Sequence, residues 1–313
     1  MKLTRIVSIL CLICCFAVGF VFSQSKKSEQ KPIEIKANVL VKDLSDNFVD
    51  DIKAENLKIF EDGVEQKITY FVKKAPILNV GLVMDNTGSM RVFLEDVVTT
   101  GKGFTNYLIK QDEAFVVRFI DSSKIQLVQD WTSNQRLLNL SLDNMFIEGG
   151  QSAIIDGLYF AGQKILQREK TEKSRRYALI LITDGEDRES RYNETQLFNL
   201  FIGTDVQIFP IAILGEFSKS KKKSIQGFIN RLTIETGGTA FFPENKKLKD
   251  EIVAATRKIA DELRSQYVIG YTSTNQKRDG LTRKLTVQVA DNENGEKRQA
   301  FIREGFVIPK EKD

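Results

Sequence analysis

The chain has no histidine, and its three cysteines, Cys11, Cys14 and Cys15, all fall within one apolar run near the N-terminus. Without histidine there is no Ser/His/Asp or Cys/His nucleophile pair and no imidazole-held zinc or iron. If that apolar run is removed no thiol remains, which excludes disulfides, CxxC chemistry and thiolate metal sites. An excess of one charge is also lacking. Over 313 residues, 46 Lys+Arg stand against 42 Asp+Glu. Setting aside Lys2 and Arg5 narrows the margin to two. Such a balance offers no electrostatic reason for nucleic acid or an anionic membrane as a partner. The basic clusters at 219–223 and at Lys246, Lys247 and Lys249 read as solvated faces. The chemistry left is that of carboxylates, hydroxyls, amides, Lys/Arg and backbone, a set suited to hard cations.

A hydrophobic fraction of 42% with 28% charged residues is globular. The length allows one large domain or two modest ones. Residues 1–23 read as a signal peptide: MKLTR is a basic start, residues 6–22 are apolar, and polar residues follow. Val21 and Ser23 place cleavage after Ser23. An uncleaved anchor is the alternative, since about 17 apolar residues reach the lower edge of spanning length. Lipidation at Cys14 or Cys15 is a third reading, with Ile13 and Cys14 poor residues to precede it. Each reading puts the folded part outside the cytoplasm, secreted or in the envelope.

Residues 24–32 are polar and form a linker. Residues 33–74 carry short alternating runs, at 33–41, 57–60 and 68–71, that predict a small β unit. From residue 77 the pattern switches to strands alternating with helices. The runs 77–84 and 177–183 are apolar throughout, as strands covered on both faces are. Met90, Phe93, Leu94, Val97, Val98, Phe104, Tyr107 and Leu108 recur at helical spacing. A hairpin is expected over 114–130, helices over 153–167, 196–202 and 222–235, and strands over 206–213 and 239–242. A last helix carries Leu248, Ile252, Ala255, Ile259 and Leu263 on one face. Three strands end the chain, at 267–271, 281–289 and 300–307. The expected fold is α/β, a doubly wound and mostly parallel sheet over 76–264, with a small β unit at each end. The extension at 265–313 is expected to pack with 33–74, because neither has enough strands alone.

In open α/β sheets ligands bind at the carboxyl ends of the strands, and three polar loops fall there. They are Asp85–Asn86–Thr87–Gly88–Ser89, then Glu148–Gly149–Gly150–Gln151–Ser152, then Asp184–Gly185–Glu186–Asp187. Asp85, Thr87, Ser89, Ser152 and Asp184 together offer two carboxylates and three hydroxyls. That set suits Mg²⁺, or Mn²⁺ or Ca²⁺ as substitutes, because two carboxylates match the ion's charge while hydroxyls fill positions without over-neutralising it. Taken singly, each motif has a plainer reading: Thr87, Ser89, Ser152 and Asp184 are all residues that cap helices. Glu186 and Asp187 are candidate outer-shell acids or simply exposed loop acids. Asp156 is expected to act on its own helix N-terminus, and Trp131 to be a packing anchor. Gly101–Lys102–Gly103 lacks the flanking residues of a P-loop.

Asp85-x-Thr87-x-Ser89, the Gly149–Gly150 loop with Ser152, and Ile182–Thr183–Asp184–Gly185 resemble the metal-ion-dependent adhesion site of the von Willebrand factor type A (VWFA) domain. Residues 235–242 resemble that family's last strand. The segments 55–63, 266–271 and 303–306 are similar to a bacterial exported subgroup, the VWFA-related domain proteins. The resemblance implies a non-enzymatic binding module. Thr87 and Ser89 would contact the metal directly and Asp184 often through water, and a partner protein's exposed Asp or Glu would complete the shell. Thr87 stands where serine is commoner and Ser152 where threonine is; both keep the hydroxyl. Two other functions stay open. One is a structural envelope protein whose ion braces the loops. The other is a metal-dependent hydrolase with Glu148, Glu186 or Asp187 as base. No partner is identified by the sequence, and a membrane enters only if the N-terminal segment is retained.

Overall fold

The computed structural model describes residues 31–73, 77–169, 175–201, 204–215, 217–244, 247–308 and 310. The expected leader, residues 1–23, and the linker as far as residue 30 lie outside the described residues. In chain order the elements begin with strands β1 (Glu34–Asp43), β2 (Leu57–Glu61), β3 (Val64–Gln66), β4 (Ile68–Val72) and β5 (Ile77–Asp85). A 3-10 turn at Gly88–Phe93 leads into helix α1 (Leu94–Thr105), followed by β6 (Glu113–Phe119), β7 (Ile125–Thr132), α2 (Gln135–Asp143) and α3 (Ile154–Glu169). Then come β8 (Arg175–Thr183), α4 (Glu194–Phe201), β9 (Gln207–Ala212), α5 (Lys219–Thr236) and α6 (Leu248–Ser265). Strands β10 (Tyr267–Thr272), β11 (Thr282–Val289), β12 (Arg298–Phe301) and β13 (Gly305–Val307) close the chain.

The central sheet runs β7-β6-β5-β8-β9, parallel except for β7. Its inner strands are apolar on both faces because helices cover both. Leu78, Val80, Leu82 and Met84 of β5, with Ala178, Ile180 and Ile182 of β8, face α1, α2 and α6. The alternate residues Val83, Leu179 and Leu181 meet α3, α4 and α5. Truncating one of these, Leu82→Ala for example, is expected to cost roughly 2–5 kcal/mol. The fold is thus the expected doubly wound α/β class, flanked by antiparallel sheets.

Four local expectations change. The segment 239–242 is no strand: only a bridge between Phe241 and Ile211 forms. The left-handed Gly237 ending α5 on one side and Pro243, with no N–H to donate, on the other leave it too short for more. The run 300–307 is two strands, because β12 pairs with β1 while β13 pairs with β11 in another sheet. The helix spacing over 90–108 begins as the 3-10 turn and is α-helical only over Leu94–Thr105. Helix α2 was not expected; Asn134 caps it, accepting from the Arg136 N–H at 3.0 Å and the Leu137 N–H at 3.4 Å.

Strands from both ends of the chain interleave in two four-stranded sheets, β12-β1-β10-β4 and β13-β11-β2-β3. Their shared core includes Ile35, Val39, Val41, Ile59, Tyr267, Ile269, Leu285 and Phe306. The α/β part is inserted between β4 and β10, which pair antiparallel with Val72 opposite Val268. Inside this β layer Arg283 and Glu61, each 2% exposed, form an ion pair at 2.9 Å. The Ser273 hydroxyl donates to the same carboxylate at 2.8 Å.

Candidate metal centre

Asp85 is the last residue of β5, and its carboxylate is fully buried at the carboxyl edge of the sheet. Oxygen-bearing side chains from three loops turn toward it. The Thr87 hydroxyl donates to Oδ1 at 2.7 Å and its backbone N–H at 3.1 Å. The Thr183 hydroxyl donates to Oδ2 at 2.6 Å and that of Ser152 at 3.3 Å. Ser89, exposed at the rim, lies 3.0 Å from the Thr87 hydroxyl. Asp184 follows Thr183 directly and is buried, its Oδ1 accepting from the Glu186 N–H at 3.0 Å.

The plainer capping readings do not describe these hydroxyls. Thr87 sits at the N-cap of the 3-10 turn, yet its side chain caps nothing and bonds Asp85 instead. Ser152 precedes α3, but its hydroxyl also goes to Asp85. The α3 N-terminus is served from elsewhere: Asp187 accepts from the Ile155 N–H at 2.8 Å and from the Ser190 hydroxyl at 2.7 Å. Asp156 does not bond its own helix terminus. It accepts from the N–H groups of Arg191 and Tyr192, at 3.0 and 2.9 Å, and so pins the loop after β8. That loop is tied again where the N–H groups of Arg188 and Glu189 meet the Ser152 carbonyl, at 2.9 and 3.1 Å. Gly185 enables the turn after Asp184: its φ is +82°, and a Cβ there would stand 2.3 Å from Ile225.

Burial and, second, the neighbouring Asp184 push the Asp85 carboxyl above its ordinary value, against the pull of the Thr183 and Thr87 hydrogen bonds. Among the described residues neither carboxylate takes part in an ion pair, and no group of three or more Asp or Glu side chains is placed to hold a metal ion by carboxylates alone. The donor set is therefore two like charges and neutral hydroxyls, with no cation of the chain on Asp85 and Arg188 acting on Asp184 only at a distance. That set fits a hard divalent ion, which would supply the missing positive charge.

The acids outside this set are engaged otherwise. Glu186 pairs with Arg188 and, at 2.6 Å, with Lys221, and these two, Arg188 first, hold its carboxyl below the usual range. Glu148 pairs with Lys124. Two residues outside the expected donor set belong to this cluster. Thr183 sits in the Ile182–Thr183–Asp184–Gly185 motif, but as the end of an apolar strand it carries no sign that its hydroxyl turns to Asp85. Asn86 is buried with Oδ1 unpartnered, while its Nδ2 donates to the Phe146 carbonyl at 3.0 Å. Its backbone N–H and carbonyl tie to Phe119 and Glu148, joining the first two loops to β6.

No protein-family model and no curated protein matches the chain. Several solved structures do. One is titled von Willebrand factor type A from Catenulispora acidiphila, 13% identical over 90% of this chain and 74% of that one, with a TM-score of 0.47. Another is an aerotolerance-related membrane protein from Bacteroides fragilis, 15% identical over 59% of this chain and 98% of that one, TM-score 0.46. A third is the manganese-loaded Plasmodium vivax TRAP protein, 13% identical over 79% of this chain and 97% of that one, TM-score 0.45. Likenesses this distant carry no assignment of function or site. The chain's own sheet order and two helix layers define a doubly wound, Rossmann-like α/β fold.

Proposed function

We propose that this chain is an exported, non-enzymatic binding module of the VWFA type. Asp85, Thr87, Ser89, Ser152 and Asp184 hold a divalent cation, Mg²⁺ or in its place Mn²⁺ or Ca²⁺, and the ion accepts an exposed Asp or Glu from a partner protein. The observation that carries the proposal is the convergence of hydroxyls from two loops and the end of β8 on a buried carboxylate that no cation of the chain answers. Two carboxylates and several hydroxyls leave a divalent ion still electrophilic, so an external anion is a natural further ligand. The exported location rests on the basic-then-apolar start of the sequence.

The competing readings find less support. A hydrolase needs a free base beside the ion, and Glu148, Glu186 and Asp187 are committed to cations or backbone N–H groups. An ion that only braces the loops has little to add where Asp156, Asp187 and the Ser152 carbonyl already tie them. The test is capture of partners from envelope extract on immobilised protein, with Mg²⁺ or EDTA, comparing wild type with Asp85→Ala. The expected result is a partner retained only by wild type with Mg²⁺. Capture indifferent to both changes would overturn the proposal.

A further inference from the structure

On the side of α6 that meets the β layer lies a cavity of about 280 Å³, with no part in the metal centre. Its walls come from the start of β9, the turn after α5, the end of α6, β1 and the crossing between β12 and β13. Glu262, 2% exposed, lines it, and its two carboxylate oxygens share a single donor, the Thr239 hydroxyl, at 3.1 and 3.0 Å. Thr239 reaches it because Gly238 lies against β9: a Cβ there would come within 2.0 Å of the Ile208 carbonyl oxygen.

Two more acceptors line the same cavity. Gln207 and Gln266 are 3% and 2% exposed, and the Oε1 of each has no hydrogen-bond partner. The orientation of Gln207 is set by its Nε2, which donates to the Gly237 carbonyl at 2.7 Å. Buried acceptors without donors are costly to a fold. The cationic side chains on the walls make their hydrogen bonds elsewhere, and Lys42 acts on Glu262 only at a distance. Lys42 is turned to Asp46 at 2.7 Å, and Arg303 to the Thr204 and Lys36 carbonyls and to Asp205 at 3.8 Å. Glu262, Gln207 and Gln266, one carboxylate and two unpartnered amide oxygens, thus line a space whose one unpartnered donor is the Arg303 Nε, and exposed Phe301 stands on its wall.

We infer that this cavity binds a small primary-ammonium compound, up to the size of a free amino acid, with its ammonium on Glu262, Gln207 and Gln266. Three N–H donors on one compact cation match three acceptors, and the charge answers the carboxylate. The unpartnered Nε of Arg303 offers one donor to a ligand oxygen beside that ammonium. The site is independent of the metal centre.

Isothermal titration calorimetry near pH 8, where the ammonium and Glu262 are both charged, tests it with ethylamine, alanine and propionate. Saturable binding of ethylamine and alanine, none of propionate, and no change with EDTA or Asp85→Asn is the expected result. Glu262→Gln, which keeps the shape, should weaken binding roughly tenfold or more, and Gln266→Leu several-fold. Absence of saturable ammonium binding, binding of propionate as tight as that of alanine, undiminished binding by both variants, or loss with EDTA would each overturn the inference.

Discussion

Glu61 and Asp85 are both buried carboxylates at the ends of β strands, but they are answered differently. Glu61 lies in the β layer against Arg283, with Ser273 completing the contact. Asp85 lies at the edge of the α/β sheet against Asp184, and the chain offers it only hydroxyls and N–H groups. Where a buried charge serves only the fold, this protein supplies the countercharge itself. At the loop edge the chain places no cation on Asp85, and the proposed divalent ion would supply that charge. Glu262 and Asp187 extend the series: the first is buried with one hydroxyl, and the second is answered by a helix N-terminus.

The comparison can be broken at each point. The largest effect is expected at the internal pair. Arg283→Met leaves Glu61 buried without its cation and should cost about 3–5 kcal/mol, read as a fall in the urea midpoint. An unchanged midpoint would mean that Glu61 does not depend on its own cation.

Glu262 comes next, through pH. Burial pushes its carboxyl up from 4.5 to about 7, opposed by the Thr239 hydroxyl and, more weakly, by Lys42 and Lys258, with Asp46 acting the other way. Because the folded value is the higher one, its stabilising contribution is complete below pH 4.5 and is lost as the pH rises through about 7. The drop is on the order of 3 kcal/mol. Glu262→Gln should flatten that part of the stability curve, and thermal melts across the window decide it.

At the metal centre, Mg²⁺ at a hundred times its dissociation constant should add about 2.7 kcal/mol to the unfolding free energy. Asp85→Asn should remove that gain while leaving the metal-free protein at least as stable, because the repulsion from Asp184 goes with the charge. An equal response to Mg²⁺ in both proteins would place the ion elsewhere. The smallest effect is at Asp187. Asp187→Ala removes the acceptor at the α3 N-terminus and should cost about 1 kcal/mol, measurable by chemical denaturation. A loss of Mg²⁺ response in that variant would bring Asp187 into the ion's surroundings.

How much of this was legible in the sequence follows from where each residue takes its environment. The three loops could be read because each ends or begins an apolar element, so Asp85, Ser152 and Asp184 stand out against their own neighbours. Helices α3, α5 and α6 announce themselves by periodic apolar faces. Glu262 could not be read: it lies in a charged helical segment, and its burial comes from β-layer residues distant in the chain. The partner of Asp187 was hidden for the same reason, as a helix N-terminus looks identical whether its N–H groups meet their own Ser152 or a carboxylate from another loop. Helix α2, nine residues long, offers too few turns for its period to show.

Opposing Val72 and Val268 across one strand pair has a consequence for how the chain assembles. Bringing two distant points of an unfolded chain together costs entropy that rises with the logarithm of the intervening length. An inserted α/β part that folds first would bring Val72 and Val268 toward the strand spacing of roughly 5 Å at which they pair, and so would remove most of that cost. The order of events follows: the insert can form from its local β-α contacts, and the outer sheets, whose strands lie at opposite ends of the chain, close afterwards around a junction already made.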